Sequence, residues 1–381
     1  MQGSLHKHPR MTRILTVTSN DLGISWGPAI HYLELWNEFC EVSTRCSVTG
    51  YAPSWTRATP IIQSRFRLKT LDVINMPSVR QMMFDLRMAV HLLLHRNRYD
   101  LVYIRLSHWH LLQALMLRLL RIRFALELNG LAKEDSASSG KGRLLRRIIG
   151  MQEAWLVSHA SLCIAVSDGI ASAVRQKYRP RGDVVTISNG VARQFFTSRR
   201  APRSKTGPLT VIYVGTFTSW DGACEVVKLA RHFPDIHFMM VGEGSMRARI
   251  QAQAPRNVSF TGKVNYSDLP ALYSRADAAI VLYEYERHRS VKVSSLKTLE
   301  YVASRLPVFT TDVPGQEYIR ENGYGVLVPE HVDVASVFER FVASLDTYAS
   351  NYAQSADAMY GRFGWRRTAS ETAAALQKLF S

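Results

Sequence analysis

Short apolar segments alternate with helical patterns along the first half of the chain. Each apolar segment has the length and the aliphatic composition of a buried strand. The first helix is expected from Pro28 to about Phe39, because a proline that follows a glycine is a common helix start. Strands that alternate with helices indicate a parallel sheet with helices on both faces. The predicted strands are Arg13–Ser19, Tyr99–Arg105, Arg123–Gly130, Ala160–Ser167 and Asp183–Gly190.

The same alternation restarts after Ser198–Pro208, a polar and basic segment that we predict to be a linker. Helices are expected near Ala223–His232 and from Asp268. The pattern therefore predicts two doubly wound α/β units in tandem, and in such sheets ligands bind beyond the carboxyl ends of the strands. The predicted strands of the second half are Leu209–Gly215, Ile236–Gly242, Val258–Val264, Ala278–Tyr283 and Gly323–Pro329.

The segment SSLKTLEYVASRLPVFTTDVPG, residues 294–315, predicts a short helix, a turn and a buried strand. Ser294 or Ser295 can cap the helix, but the Glu or Gln that completes a capping box is missing three positions later. Lys297 and Glu300 lie on one side of this helix. As a surface pair they would add only a few tenths of a kcal/mol. The alternative is that Lys297 and the first helical N–H groups hold a diphosphate while Glu300 accepts hydrogen bonds from ribose hydroxyls, as a nucleotide sugar requires.

Positive charge is concentrated in the first half of the chain. Residues 1–200 contain 28 Lys and Arg against 13 Asp and Glu, whereas residues 201–381 contain 20 against 18. Much of the excess lies in apolar and basic segments, namely Phe84–Arg98, Met116–Phe124 and Gly140–Gly150. Helices of this composition can lie on an anionic membrane surface. A solvated basic face is the alternative, and we expect no nucleic-acid partner because no zinc finger, RNP signature or helix-turn-helix is recognisable.

The composition is that of a folded protein without a membrane span. The hydrophobic content is 46%, and no run of about 18 apolar residues occurs. The first ten residues lack an apolar signal core, and the four cysteines show no metal spacing. We therefore expect a cytoplasmic protein that associates peripherally with the inner face of the cell membrane.

Several segments, in order along most of the chain, resemble the retaining GT-B glycosyltransferases of family 4. The segment at residues 294–315 looks like the nucleotide-sugar-binding segment of that family. The other segments that carry the resemblance are YDLVYIR with FALELNGL, AVSDGIASAV with VVTISNGV, VIYVGTFTSWDG, VSFTGKVNYSDLPALYSRADAAIVLY and FGWRRTASE.

The resemblance implies two Rossmann-like domains that face each other across a cleft. Residues 1–199 would be a basic, membrane-facing acceptor domain. Residues 200–360 would bind the nucleotide sugar, and a helix in residues 361–381 would return toward the first domain. The donor is expected to be a UDP- or GDP-sugar, with no metal and no other cofactor, because helix dipole and basic side chains meet the leaving diphosphate.

The resemblance also implies roles for individual residues. Glu300 matches the ribose-binding glutamate, and Lys297 with the backbone of Ser294 and Ser295 matches the diphosphate cradle. The base is expected near Lys263 and Val264. The loop from Gly23 to Gly27, and the glycine Gly215 at the end of the first predicted strand of the donor domain, are expected to approach the phosphates.

Three departures from the family pattern bear on the site. Lys292 stands where many relatives carry a second glutamate. Thr216 and Asp221 stand where many carry an arginine and a lysine that bind phosphate, so the phosphate charge must be met by the remaining cations. These cations are Lys292, Lys297, Arg287 and Arg289.

Two further polar residues are candidates for the reacting end of the site. Asn129 stands at the end of the third predicted strand, where relatives often have a histidine, and can hydrogen-bond a sugar but cannot act as a base at neutral pH. A turn is the alternative role for Asn129 and Gly130. His108 follows the strand that ends near Arg105 and can face the cleft, although a lone histidine there is more often structural.

The sequence therefore predicts a retaining glycosyltransferase that extends a lipid-diphosphate-linked oligosaccharide for a surface polysaccharide. Two alternatives remain: a nucleotide-sugar epimerase of the same fold, and a non-catalytic scaffold in a polysaccharide assembly complex. A dehydrogenase is disfavoured, because NDLGISWG follows the first strand in place of a Gly-x-Gly-x-x-Gly turn.

Overall fold

The computed structural model of the protein describes residues 11–132, 142–197, 207–218, 222–288, 295–352 and 354–380. The chain divides into two compact units. The first unit consists of Met1–Ser188 and Thr368–Ser381, and the second unit is Asn189–Arg367.

The first unit is built on a seven-stranded parallel sheet with the strand order β3-β2-β1-β4-β5-β6-β7. The strand order reverses between β1 and β4. Strands β1 to β3 follow one another toward one edge of the sheet, and strands β4 to β7 follow one another toward the other edge. The strands are β1 (Thr12–Val17), β2 (Cys46–Ser54), β3 (Arg67–Asp72), β4 (Leu101–Arg105), β5 (Phe124–Leu128), β6 (Leu162–Ala165) and β7 (Asp183–Thr186).

Helices connect these parallel strands, except that residues 55–66 join β2 to β3 without a helix. Pro28 lies in the first turn of α1, where its missing N–H costs nothing, and Ser167 caps α5 by accepting a hydrogen bond from the Ile170 N–H. The helices of this part of the chain are α1 (Gly27–Val42), α2 (Pro77–His95), α3 (Leu111–Leu119), α4 (Arg143–His159) and α5 (Asp168–Tyr178).

The second unit repeats this architecture with a six-stranded parallel sheet in the order β10-β9-β8-β11-β12-β13. Here the order reverses between β8 and β11. The strands are β8 (Thr210–Val214), β9 (His237–Val241), β10 (Val258–Gly262), β11 (Ala278–Val281), β12 (Val308–Thr311) and β13 (Gly325–Val328).

The helices of the second part of the chain are shorter, and α16 runs from the second unit into the segment that clusters with the first. They are α6 (Arg193–Thr197), α7 (Ala223–Ala230), α8 (Arg247–Ala252), α9 (Leu269–Tyr273), α10 (Tyr285–His288), α11 (Leu296–Ala303), α12 (Glu317–Glu321), α13 (Val334–Ala343), α14 (Leu345–Ser350), α15 (Ala356–Phe363) and α16 (Trp365–Gln377).

The predicted fold class is confirmed. Both sheets are parallel, helices are interleaved with their strands, and the central strands β4, β5, β11 and β12 are buried throughout. The pattern missed β2 and β3, although both pair in register with their neighbours. Among the described residues, no helix is both long enough and apolar enough to cross a bilayer. The predicted linker lies almost entirely outside the described residues.

In each unit, the point where the strand order reverses marks the ligand crevice of a doubly wound sheet. In the second unit this point lies beyond the carboxyl ends of β8 and β11. In the first unit it lies beyond the carboxyl ends of β1 and β4.

Candidate functional site

Lys297 lies at the reversal point of the second unit. It is the second residue of α11, and its Nζ lies 5.4 Å from the ring centroid of Tyr213 and 5.7 Å from that of Tyr283. Tyr213 is on β8, and Tyr283 follows β11. A cation over the faces of two aromatic rings is attracted by both of them. The ammonium is therefore held above the two strands where the order reverses, instead of projecting from the helix into solvent.

Gly215 leaves the space that Lys297 occupies. A Cβ atom at this position would lie 2.8 Å from the Lys297 Nζ, which is closer than van der Waals contact permits. Gly215 is also the residue that follows β8, and its N–H donates to the carbonyl of Val241 at the end of β9 (3.0 Å). The structure thus brings together two of the residues that the sequence predicts for the diphosphate.

The start of α11 is capped and anchored. The Ser295 hydroxyl accepts a hydrogen bond from the Thr298 N–H (3.5 Å) and one from the Tyr283 hydroxyl (2.5 Å). Tyr301 ties the same helix to β8, because its hydroxyl accepts a hydrogen bond from the Val214 N–H at 2.8 Å. These contacts fix the helix start relative to the sheet, so its first N–H groups point toward a defined place.

Glu300 is buried in the same helix. Only 5% of the residue is exposed, and its Oε2 accepts a hydrogen bond from the Tyr273 hydroxyl at 3.1 Å. Burial and the neighbouring Glu300 charge both raise the pKa of Tyr273 well above its usual value, so the phenol remains a donor. A surface ion pair would leave a carboxylate in solvent. Glu300 is instead buried, and the hydrogen bond from Tyr273 orients its carboxylate.

Two glycines that the sequence analysis did not select shape the neighbouring loop. A Cβ atom at Gly242 would lie 1.9 Å from the Gly215 carbonyl oxygen, and one at Gly244 would lie 2.6 Å from the Phe217 nitrogen. The loops that follow β8 and β9 therefore approach each other more closely than side chains allow. The VGEG sequence, which begins at the end of the predicted strand Ile236–Gly242, was the sequence signal for this close approach.

A second polar cluster lies at the carboxyl ends of β4 and β5 in the first unit. The Glu127 carboxylate accepts hydrogen bonds from Asn129 Nδ2 (2.6 Å) and the Tyr103 hydroxyl (2.9 Å), and lies 2.5 Å from Arg105 Nη1 and 3.0 Å from His31 Nε2. Burial alone would raise the pKa of Glu127, but the charges of His31 and Arg105 outweigh it and hold the pKa well below its ordinary value.

This cluster gives Asn129 a defined orientation. The side chain is half-buried, and its amide nitrogen is engaged by Glu127. Asn129 was predicted from the sequence, whereas Glu127 was not, although a carboxylate inside the otherwise apolar strand FALEL was a visible signal. His31 was not predicted, because its partner is distant in sequence.

The reversal point of the first unit carries a chain of hydrogen bonds. The Ser19 hydroxyl, after β1, donates to the Ser107 hydroxyl, after β4, at 2.5 Å, and Ser107 Oγ lies 2.9 Å from His110 Nε2. The Ser107 backbone N–H also donates to His110 Nε2 (3.1 Å), so this nitrogen is the acceptor of the ring. Burial lowers the pKa of His110 to about 4, and the imidazole is neutral at pH 7.

His108 lies in the same turn, which Gln152 holds through the backbone. Gln152 Nε2 donates to the His108 carbonyl (2.6 Å), and Gln152 Oε1 accepts from the His110 N–H (3.0 Å). The side chain of His110 thus joins this turn to the hydroxyl groups at the strand ends.

Comparison with known proteins agrees with this architecture. Residues 27–195 match the family model described as Glycosyltransferase Family 4, and residues 208–346 match the model described as Glycosyl transferases group 1. Glycogen synthase of Mycobacterium tuberculosis (strain ATCC 25618 / H37Rv) is 28% identical over an alignment of length 259, which covers 64% of this chain. The alignment spans 60% of that relative's length.

Solved structures share the fold over nearly the whole chain. Sucrose-phosphate synthase from Thermosynechococcus elongatus superposes with a TM-score of 0.76 at 17% identity, covering 97% of this chain and 99% of that one. HepE of Anabaena, solved in complex with UDP and glucose, superposes with a TM-score of 0.70 at 15% identity, covering 96% and 99%. At such identities the likeness concerns the fold.

Residues 27–195 and 208–346 are thus two glycosyltransferase family domains, and the chain has the GT-B fold. Both family models and both sheets carry this assignment. In this GT-B protein the described residues contain no group of His, Cys, Asp or Glu side chains arranged to hold a metal ion.

The remaining predicted residues of this GT-B protein are distributed over both units. Lys263 is exposed and Val264 half-buried directly after β10. In the first unit, Gly23 donates its N–H to Asp21 Oδ1 (2.8 Å), and Gly27 begins α1. Lys292, Ser294, Asp221 and Arg289 lie outside the described residues, as does the side chain of Arg287.

Proposed function

We propose that the protein transfers a sugar from a UDP- or GDP-sugar to a lipid-diphosphate-linked oligosaccharide, with retention of the anomeric configuration, in the synthesis of a surface polysaccharide. The observation that carries this proposal is the placement of Lys297 and the capped start of α11 at the reversal point of the second sheet. An anion bound there meets an ammonium and helix N–H groups together.

The diphosphate is the part of the donor that this arrangement suits. When the bond between the anomeric carbon and the diphosphate oxygen breaks, the negative charge on the leaving group grows, and a fixed cation with oriented N–H groups stabilises it. The acceptor hydroxyl attacks the same face, and its proton passes to an oxygen of the leaving phosphate. Lys297 therefore acts on the transition state, and no metal is required for this step.

In this proposal, Glu300 binds the ribose of the donor. A carboxylate accepts two hydrogen bonds from neighbouring hydroxyls, and the Tyr273 hydroxyl holds it in place. Ser294, Ser295, Lys292 and Gly215 complete the diphosphate cradle, and the base lies near Lys263 and Val264. UDP is the first donor to test, because HepE was solved with UDP and with UDP-glucose.

The acceptor side of the proposal rests on the first unit. On α2, the exposed side chains Met82, Leu86, Val90 and Leu93 follow helical spacing and form one apolar stripe. On α3, which packs beside α2, Leu111, Leu115 and Leu119 continue it. Large exposed apolar surfaces of this kind mark an interaction site. We name these seven residues the apolar stripe.

The charge around the apolar stripe favours an anionic membrane as its partner. Arg87, Arg118 and Arg121 are exposed on the same helices or directly after them. An apolar stripe flanked by arginines suits the headgroup region of an anionic bilayer, with about 1 kcal/mol from each basic side chain near the surface. In this proposal the protein is peripheral on the inner face of the membrane, where a lipid-linked acceptor is presented.

The proposal is tested by incubating the purified protein with a panel of radiolabelled UDP- and GDP-sugars and lipid-diphosphate-linked acceptors in vesicles. We expect one donor to label the lipid and an NMR spectrum of the product to show the donor's anomeric configuration. Glu300→Ala is expected to reduce labelling strongly. Binding of UDP without any transfer would favour the scaffold alternative, and conversion of the donor sugar without an acceptor would favour an epimerase.

A further inference from the structure

The first unit contains a cationic pocket of about 440 Å³ that shares no residue with the sites described above. Its floor is one face of β2 and β3. Ser47, Thr49 and Tyr51 are alternate residues of β2, and alternate residues of a strand point to the same face. In the parallel register, Thr49 lies beside Arg67 and Tyr51 lies beside Lys69. This corner of the sheet therefore presents hydroxyl groups and cations where a doubly wound sheet normally packs aliphatic side chains against a helix.

The pocket lies at the amino-terminal end of the sheet. Arg67 is the first residue of β3, Arg13 is the second residue of β1, and Tyr99 precedes β4. Ligands of the proposed transfer reaction bind beyond the opposite, carboxyl ends of the strands. The position of the pocket thus separates it from the donor and acceptor sites.

Aromatic rings form a preorganised wall on one side. Tyr51 is only 4% exposed, and its ring lies 4.6 Å from that of His91, which in turn stacks on His95 at 4.6 Å with an interplanar angle of 14°. His91 Nε2 lies 3.0 Å from the Tyr99 hydroxyl. The packed rings hold these polar atoms at fixed positions, as a binding site requires.

The cations of the pocket are only partly compensated. Arg13 forms an ion pair with Asp100, with 2.8 Å between Nη2 and Oδ1. Arg67, Lys69 and Arg98 form no ion pair with a carboxylate in the part of the chain that the structure describes, and no described carboxylate lines the pocket. Three positive charges around one cavity repel each other, and an anion in the cavity relieves that repulsion.

The electrostatic effect of these cations reaches the aromatic wall. Burial lowers the pKa of His91 to about 4, and the charges of His95, Lys69 and Arg98 add to that effect. The imidazole is therefore neutral at pH 7. A neutral imidazole beside a tyrosine hydroxyl provides hydrogen bonds without a further positive charge.

We propose that this pocket binds a phosphate monoester. The guanidinium groups of Arg67 and Arg98 and the ammonium of Lys69 provide charge-assisted hydrogen bonds to the phosphate oxygens. The hydroxyls of Ser47 and Thr49 add neutral donors. The volume exceeds that of a phosphate group alone, so a small organic group attached to the phosphate fits against the aromatic wall.

The phosphate monoester can come from a soluble compound or from a lipid headgroup. His91 and His95 are on α2, which also carries part of the apolar stripe, so a lipid bound at the stripe and a soluble compound are both sterically compatible with the same phosphate chemistry. The two sources are separated by experiment.

Binding of the soluble form is measured by isothermal titration calorimetry with glycerol 3-phosphate and the full chain at low ionic strength. The double variant Arg67→Gln/Lys69→Gln removes two of the three uncompensated cations. Both side chains are exposed, so the variant is expected to fold with an unchanged thermal midpoint. We expect its dissociation constant for the probe to increase at least about tenfold.

The matched control is Arg249→Gln/Arg256→Gln, which removes the same charge from two exposed positions of the second unit. It is expected to bind glycerol 3-phosphate like the wild type. UDP affinity is expected to be the same in the wild type and both variants. UDP binding tests the donor site separately from the pocket. If the proposed function is wrong, the wild type will not bind UDP, and its binding of glycerol 3-phosphate will be unaffected.

The lipid form is measured by co-sedimentation with vesicles that contain phosphatidic acid or phosphatidylglycerol at equal surface charge. Only phosphatidic acid carries a phosphate monoester. A preference for phosphatidic acid in the wild type that disappears in Arg67→Gln/Lys69→Gln would support the lipid source, whereas calorimetric binding alone would support the soluble source. The proposal is overturned if neither probe distinguishes the wild type from this variant.

Discussion

At the scale of single residues, the proposed chemistry depends most on the ammonium of Lys297. We expect Lys297→Ala to reduce kcat roughly 100- to 1,000-fold, because the charge that develops on the leaving diphosphate loses its fixed cation. UDP affinity should also fall. Steady-state kinetics with the best donor and calorimetry with UDP provide the measurements.

The control for Lys297 is Lys228→Ala on α7. Lys228 is exposed and forms an ion pair with Glu225 at 2.7 Å, so its loss removes the same charge from a solvated position. Its kinetics should match those of the wild type. If the two lysine variants had equal activity, Lys297 would have no part in the reaction.

Glu300 allows a test of charge without a change of shape. Glu300→Gln keeps the size of the side chain but removes the negative charge that ribose hydroxyls would meet. Hydrogen bonds to charged groups contribute about 1.5–3 kcal/mol, so KM for the donor should increase by about 10- to 100-fold. Glu225→Gln, an exposed carboxylate on α7, is the matched control and should leave KM unchanged.

The residues that the sequence revealed and those it concealed differ in a physical way. Lys297 and Glu300 were visible because an unfilled capping box left two charges on a short helix without a structural explanation. The partners of Glu127 were not visible, because His31 and Arg105 approach it only through the sheet and the packing of α1. Local patterns predict candidate groups within one element, whereas a cluster built from three elements requires the tertiary structure.

At the scale of elements, Gly215 links the end of β8 to the start of α11. Gly215→Ala places a Cβ atom 2.8 Å from the Lys297 Nζ and 2.9 Å from the Tyr213 hydroxyl, so its close contacts are with the ends of side chains and not with backbone. We therefore expect the thermal midpoint to change little while transfer activity falls, because the ammonium is displaced from its position over the two tyrosine rings. Differential scanning fluorimetry and donor kinetics measure the two effects separately.

Gly222 provides the contrasting case. It has a φ of 76°, and a Cβ atom there would lie 1.5 Å from the Leu282 carbonyl oxygen, which belongs to the backbone. Gly222→Ala should therefore lower the thermal midpoint by several degrees, since the backbone must shift.

An unchanged transfer activity in Gly215→Ala would contradict the prediction for that position. It would show that the Lys297 ammonium does not need the space above β8.

The buried Glu127 cluster joins α1, β4 and β5 and gives stability a pH dependence. Because the folded-state pKa of Glu127 is depressed, its contribution is complete above the unfolded-state pKa of about 4.3 and is lost as pH falls below that value toward the folded-state pKa. Glu127→Gln should lower stability at pH 7 by about 3–5 kcal/mol, because it leaves Arg105 buried without its counter-charge.

The pH profile distinguishes the loss of the Glu127 charge from a general packing defect. In urea titrations from pH 3 to pH 7, the difference in unfolding free energy between the wild type and Glu127→Gln should shrink as the pH falls below about 4.3. Glu41→Gln, which removes an exposed carboxylate beside Arg65, should show no such trend. A difference that is constant with pH would contradict the ionised state of Glu127.

The burial and composition of individual strands explain why the sequence pattern predicted most strands but not β2 and β3. The central strands are buried on both faces, and their sequences are mostly apolar. β2 contains Gly50 and Pro53, residue types that are typical of turns, and β3, RLKTLD, is an edge strand with four exposed polar residues and no regular alternation. These two strands form the floor of the cationic pocket. The polar and basic composition that prevented their prediction as strands also provides the hydroxyl groups and cations of the pocket.

At the scale of the whole molecule, the two units share an architecture but differ in surface. Residues 1–200 carry the charge excess of 28 basic against 13 acidic residues, and the apolar stripe lies within them. The second part of the chain is nearly balanced in charge. Because long-range attraction to an anionic surface follows net charge, the first unit should be the one that meets the membrane.

This asymmetry predicts how membrane binding responds to mutation and to salt. Leu86→Gln/Leu93→Gln removes two exposed apolar side chains from α2, each of which contributes on the order of 1–2 kcal/mol when it enters the acyl boundary. The affinity for phosphatidylglycerol vesicles should therefore fall by about 10-fold or more. Binding of the wild type should weaken as salt increases from 50 to 500 mM, since the arginines near the stripe are screened.

A matched substitution on the second unit separates this effect from a general loss of hydrophobicity. Val332 is exposed there, and Val332→Gln should bind vesicles like the wild type. The transfer reaction provides a second readout: Leu86→Gln/Leu93→Gln should retain UDP binding but transfer poorly to an acceptor in vesicles, and it should recover when the acceptor is a water-soluble analogue. Equal vesicle binding by both variants would show that the apolar stripe serves a different partner, because a bilayer cannot compensate for the loss of two apolar anchors at its own contact surface.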